Sequence, residues 1–341
     1  MSFSSFKKSK LLFENWRGFI NEAPLGSVGG IGDEPEEEEG AQAAPAGEAP
    51  TERGGGQRTS SITDPMETGL ASFIKQVQLK PYQDIILGGL VDFDGNEDDD
   101  KFIVKQSTSI CRDLRPTQNE VVVHKSLEFS LKSPEHFIKY NSSNGPFNVG
   151  PEGNDAIITF GGKFVIDGHH RWSSLYCCNP NAAIHTWNIS KEGLDPTDVL
   201  KAVQAAIFSK LKKIPSAEGG GINLFTTDKS TILKYVSSVI SKDSEAIYKF
   251  KSYLEGLKEG PTMAGALGTA IAKPLTERII WPNIEVLQSE SKPISGATER
   301  EMMPQADKAG PIVAGGELPA ALEPLVVGKI NVSKPLRKAA E

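Results

Sequence analysis

Residues 159–178 read TFGGKFVIDGHHRWSSLYCC. Phe164, Val165 and Ile166 make a short apolar run of strand character, and residues 172–178 are compatible with a helix. Between them stand Asp167, Gly168, His169, His170 and Arg171. A strand, a tight glycine turn and a helix start gather backbone N–H groups around one point, the usual way a chain holds an anion. Gly168 permits the turn and the close approach of a ligand. Arg171 offers a planar fork of donors matched to phosphate oxygens. Asp167 can cap the helix, act as a base or ligate a metal. Adjacent residues on a helix point different ways, so one of His169 and His170 faces a pocket and the other the core. A structural alternative pairs Arg171 with Asp167 or Glu120 and uses both histidines for local hydrogen bonds. So many polar groups at one turn are costly if they serve packing alone.

Outward from that stretch, residues 156–160 and 163–166 read as strands joined by a Gly161-Gly162 hairpin turn. Residues 183–189 form a further strand after the Asn179-Pro180-Asn181 turn, and residues 102–104 an earlier one. Residues 116–120, PTQNE, lead into a helix carrying Val121, Val122, Lys125, Leu127 and Phe129. Thr117 as N-cap with Glu120 three residues on forms a capping box. Residues 133–138 open a short helix, and 141–155 form a loop. After Pro196 three amphipathic faces follow: Val199, Val203, Ala206, Ile207, Leu211; then Ile232, Tyr235, Val236, Val239, Ile240; then Ile247, Phe250, Tyr253, Leu254. Residues 261–278 read as a looser fourth helix. Beyond Pro282 the chain reads as irregular, and Arg278, Lys329, Lys334, Arg337 and Lys338 make its end basic.

The 341 residues are 38% hydrophobic with 33 Gly and 22 Pro, which predicts one globular domain flanked by loose segments; the strands and helices read above make the expected class of that body α/β. The expected boundaries are a leader over 1–22, an acidic Gly/Pro linker over 23–64, the α/β domain over 65–192, a helical region over 193–282 and a tail over 283–341. A net charge of −7 argues against broad, non-specific DNA coating but leaves room for a local basic patch. Cys111, Cys177 and Cys178 show no metal-type spacing, and the adjacent pair is not expected to bridge, so a reducing compartment is the default. No apolar run approaches the roughly 20 residues of a membrane span, so no membrane partner is expected. His124, His136 and His185 are scattered. A metal centre made of protein ligands alone is not expected; a magnesium ion bridging phosphates and Asp167 is. Residues 92–100, DFDGNEDDD, alternate oxygen ligands but place Gly95 and Lys105 wrongly for a calcium-binding EF-hand loop, leaving an exposed acidic loop as the alternative.

VIDGHHRWSSL resembles the second signature of the ParB/sulfiredoxin superfamily, and LRPTQNEV some fifty residues upstream resembles its proline–glutamine box. The resemblance spans about residues 75–190. It implies a ParB/sulfiredoxin-like fold in which Gln118, Gly168, His169, His170 and Arg171 bind nucleotide or DNA phosphates. Glu120, Asp167, His169 and His170 are then the catalytic set, with a nucleoside triphosphate and magnesium as cofactors. Sulfiredoxins carry a reactive Cys where this chain has His169, which speaks against peroxiredoxin repair. The Asp-Gly-His-His-Arg form also differs from the GERRxRA motif of chromosome-partitioning ParB proteins. It is closer to ParB-like nucleases and nucleotide-dependent small-molecule kinases. Glu120 is either a general base or only a helix cap. The runner-up function is a non-catalytic nucleotide- or DNA-binding module.

At the chain start, MSFSSFKKSKLLFENWRGFINE is basic and amphipathic, with Leu12, Trp16, Phe19 and Ile20 near helical spacing. One reading docks this helix on the body or a partner. In the other, Ile20-Asn21-Glu22-Ala23 resembles the site cleaved by prohead proteases of large tailed bacteriophages, where such leaders direct internal proteins into the capsid. The implied partners are a capsid and its prohead protease, and the implied location is the host cytoplasm or the virion.

Overall fold

Gly161 and Gly162 both adopt positive φ, 57° and 67°, the left-handed backbone that tight hairpin turns use, and Lys163 completes the turn. They join β3, Ile157–Phe160, to β4, Phe164–Asp167, as the sequence predicts. The computed structural model describes residues 101–149, 156–211, 221–257, 267–297 and 322–328. The leader, the linker, the region through residue 100 with its acidic loop, and most of the tail lie outside the described residues.

Among the described residues, five strands form one mixed sheet in the order β1-β5-β3-β4-β2. Strand β1, Ile103–Ile110, pairs antiparallel with β5, Ala183–Ser190, from Ile103 opposite Ser190 to Ile110 opposite Ala183. Strand β5 runs parallel to β3, and β4 parallel to the two-residue edge strand β2, Arg115–Pro116. An irregularity between β3 and β4 sets Thr159 opposite Val165 but Ile158 opposite Asp167. Ile166 is therefore an extra residue in β4, and such a bulge re-aims the residues next to it. Here those are Asp167 and the turn at Gly168.

Helices α1, Val123–Lys132, α2, Pro134–Ser142, and α3, His169–Cys178, share one apolar cluster with Ile157, Val165 and Ile184 of the sheet. Trp172 anchors α3: it is fully buried, lies edge-on to Tyr176 at 5.5 Å, and donates from Nε1 to the Cys111 carbonyl at 2.9 Å. Two hydroxyl pairs join α1 to α3, Ser126 to Ser173 at 2.7 Å and Ser130 to Ser174 at 2.8 Å. Helix α4, Pro196–Leu211, packs on β4. Helices α5, Lys229–Ile240, and α6, Ser244–Gly256, start at Asp228 and Asp243, whose carboxylates accept from first-turn backbone N–H groups. Their apolar faces join the cluster that α1 and α3 line.

The end of the helical region differs from the reading that made the chain irregular beyond Pro282. Helix α7, Leu267–Leu275, passes through a π-turn, Thr276–Ile280, into α8, Trp281–Glu290. Trp281 N–H reaches back five residues to Thr276 O. That widened turn places Pro282 in the first turn of a new α segment, where its missing N–H costs nothing. Tyr176 of α3 meets Ser291, just past α8, through their hydroxyls at 3.0 Å, and Asn283 donates to Cys177 O at 3.0 Å. Helix α9, Glu323–Val326, packs on α4.

Candidate functional site

Gly168 follows β4 with φ +90° and is the N-cap of α3. A Cβ there would lie 2.6 Å from Ile157 Cγ2, so only glycine lets the first turn of α3 sit against the sheet. No side chain caps that turn. The structure places His169, His170 and Arg171 inside the helix, one turn earlier than residues 172–178. Arg171 donates from Nη1 to Ala156 O and from Nη2 to Asp167 Oδ2, both at 3.1 Å. Each partner of this ion pair is about a quarter exposed. Two of the five guanidinium N–H groups are engaged, which leaves donors for a further anion.

The Nε2 atoms of the two histidines play opposite hydrogen-bonding roles. His169 is buried, with Nε2 at 3.3 Å from Thr117 Oγ1. That hydroxyl donates its proton to Val165 O at 2.7 Å, so it can only accept from His169, which therefore carries a proton on Nε2. His170 Nε2 accepts the backbone N–H of Val122 at 3.2 Å, so its neutral ring carries the proton on Nδ1. One imidazole thus grips each end of the 117–122 segment.

The expected capping box is not formed. Thr117 uses its hydroxyl and its amide on Val165 O, at 2.7 and 3.4 Å, which continues the β2 pairing with β4. Helix α1 starts at Val123 with Val122 as N-cap, too far on for Thr117 to reach its first turn. Glu120 accepts the Gly221 N–H on Oε1 at 3.1 Å. Sheet pairing at the Pro116 edge outcompetes the local helix signal. Gln118 is buried and donates from Nε2 to the Glu120 carbonyl, so its amide nitrogen braces its own loop.

Opposite this loop runs a segment the sequence reading did not single out. Val123 N–H donates to Ile222 O at 2.9 Å and Leu224 N–H to Val121 O at 2.7 Å. Asn223 Oδ1 accepts from Val121 N–H at 3.3 Å and Phe225 N–H at 3.0 Å, while Nδ2 donates to Asn119 O at 3.1 Å. A Cβ on Gly221 would meet Val122 Cγ1 at 2.6 Å. Only the Gly219-Gly220-Gly221 run hinted at an unusual backbone here, and nothing local marked Asn223.

Among the described residues, no group of three or more His, Cys, Asp or Glu is placed to hold a metal ion. The donor set at the turn, one aspartate already paired to arginine, fits magnesium only with phosphate oxygens completing the shell. It fits an anion directly. All three cysteines are free and buried; burial pushes the thiols up, that of Cys178 to about 12, so none is a thiolate nucleophile at neutral pH. Among the described residues, no helix is long and apolar enough to cross a membrane. No family model, no curated protein and no solved structure matches the chain.

Proposed function

We propose that this is a phosphate-handling protein with a ParB/sulfiredoxin-like domain, in which nucleotide or nucleic-acid phosphates dock at Gly168–Arg171. Phosphodiester cleavage or phosphoryl transfer is the proposed reaction. The observation that carries the proposal is the Gly168 turn, where an uncapped helix start and a guanidinium with spare donors converge at the end of β4. Arg171 and the first turn of α3 hold the phosphate. Asp167 orients Arg171 and, with phosphate oxygens, would hold magnesium, which when bound supplies charge neutralisation. Glu120 is the base, because one carboxylate oxygen is fixed by Gly221 and the other is left for a proton. His169 and His170 join turn to loop.

A second reading, a binding module without turnover, is favoured by one observation: both imidazole Nε2 atoms are committed to protein partners. Product analysis with magnesium and either nucleoside triphosphates or DNA separates the two. Released phosphate or nicked DNA, falling ~10²–10⁴-fold in Glu120→Gln, supports the enzyme; that variant keeps an acceptor for Gly221. Binding without product supports the module, and neither rejects both.

The leader supports placing the protein among tailed-phage virion proteins, with the capsid and prohead protease as partners. Mass spectrometry of protein from particles should find Ala23 as the first residue. An intact 1–22 segment, or absence from particles, rejects that placement.

A further inference from the structure

We infer that Asn223 is a positioning residue for the Gly168 site, acting through the 117–122 segment and His170. Six residues separate the end of β2 at Pro116 from the start of α1 at Val123, and they form no strand or helix of their own. Their backbone polar groups must still find partners, since burial without them is costly. The 221–224 segment supplies several. Asn223 alone serves three backbone groups, Asn119 O and Val121 N–H on the loop and Phe225 N–H on its own segment. Backbone pairing on either side of it, Val123 to Ile222 and Leu224 to Val121, fixes the approach. Gly221 lets the chain come close enough to donate to the Glu120 carboxylate. Val122, the residue between the two paired positions, is the one whose N–H meets His170. Moving Asn223 therefore moves the Val122 N–H off the imidazole and shifts the Glu120 carboxylate in the same motion. His169 is insulated, because Thr117 is held by β4 rather than by this strap.

The consequence for a bound ligand rests on the phosphate reading above, while the effect on His170 does not. The test is long-range proton–nitrogen NMR of the imidazoles in the full chain, for wild type, Asn223→Asp and Asn223→Ala, with and without magnesium ATP. Asp keeps the two acceptor bonds of Asn223 and loses the donor to Asn119; Ala loses all three. The expected result is a hydrogen-bonded His170 Nε2 acceptor resonance in wild type and an Nε2 resonance shifted off that value in Asn223→Ala. Asn223→Asp should fall between them, and His169 should be unchanged throughout. The Val121 amide should exchange about tenfold faster in Asn223→Ala, the scale of one lost hydrogen bond. Magnesium ATP should bind about tenfold more weakly to Asn223→Ala. An unaltered His170 spectrum in a folded Asn223→Ala overturns the inference. If that variant does not fold, an unaltered His170 in Asn223→Asp overturns it instead. A wild type that ignores magnesium ATP while His170 still responds to the substitutions rejects the phosphate reading and upholds the positioning.

Discussion

The imidazole of His170 accepts the backbone N–H of Val122 at 3.2 Å, across 48 residues of sequence. Val122 is buried and is the N-cap of α1, so this one bond ties the start of α1 to the first turn of α3. Removing the acceptor strands a buried donor. His170→Ala should therefore cost about 1–3 kcal/mol in urea unfolding, the penalty of an unsatisfied buried N–H. A change under ~0.5 kcal/mol would mean that water replaces the imidazole there.

Gly168 is the second joint. A side chain at φ +90° is strained, and its Cβ would press into Ile157. Gly168→Ala should lose about 2–6 kcal/mol, the sum of left-handed strain and local overpacking. Adding Ile157→Val, which leaves Cγ2 in place, should not restore it. Wild-type stability in Gly168→Ala would show that the turn can relax.

Acid sensitivity should have a local origin. Burial holds the imidazoles of His124 and His136 below their usual range; Lys125 and Lys139 add to this, while Glu128 and Glu135 oppose it. His136 Nδ1 is buried with no hydrogen-bond partner. Unfolded histidine takes its proton near pH ~6.5, so just below that pH the unfolded chain binds more protons than the folded one. Stability from these groups is complete above about pH 6.5 and is lost as the pH falls from there toward the lowered folded values. His136→Phe keeps a ring between Phe129, at 5.1 Å, and Tyr140, at 6.1 Å. It should reduce the stability lost between pH 7.5 and 5.5 in urea titrations. An unchanged loss would place the acid sensitivity elsewhere.

What the sequence revealed was local. The Gly161-Gly162 turn, the β4–Gly168–α3 order and the apolar faces of α4 to α6 are set by neighbours within a few residues. The misreadings arose where distant partners intervened. Thr117 and Glu120 have the spacing of a capping box, yet β4 takes Thr117 and Gly221 takes Glu120. Pro282 reads as a helix end, yet a π-turn prepares a place for it. Asn223 meets its loop partner Asn119 across 104 residues, and no periodicity reports such a contact. The Arg171–Asp167 pair was one of two open alternatives, and the structure contains it alongside spare guanidinium donors.

Arg171 carries the phosphate proposal most directly. Calorimetric titration with magnesium ATP, ADP and inorganic pyrophosphate should give saturable binding to wild type. Arg171→Ala should weaken it by about 1.5–3 kcal/mol, roughly 10- to 150-fold, the value of hydrogen bonds to a charged group. Its unfolding free energy should change by no more than about 1 kcal/mol, since the ion pair to Asp167 is partly exposed. Equal affinity in the two proteins, or no binding of any of the three ligands by wild type, would contradict a phosphate site at the Gly168 turn.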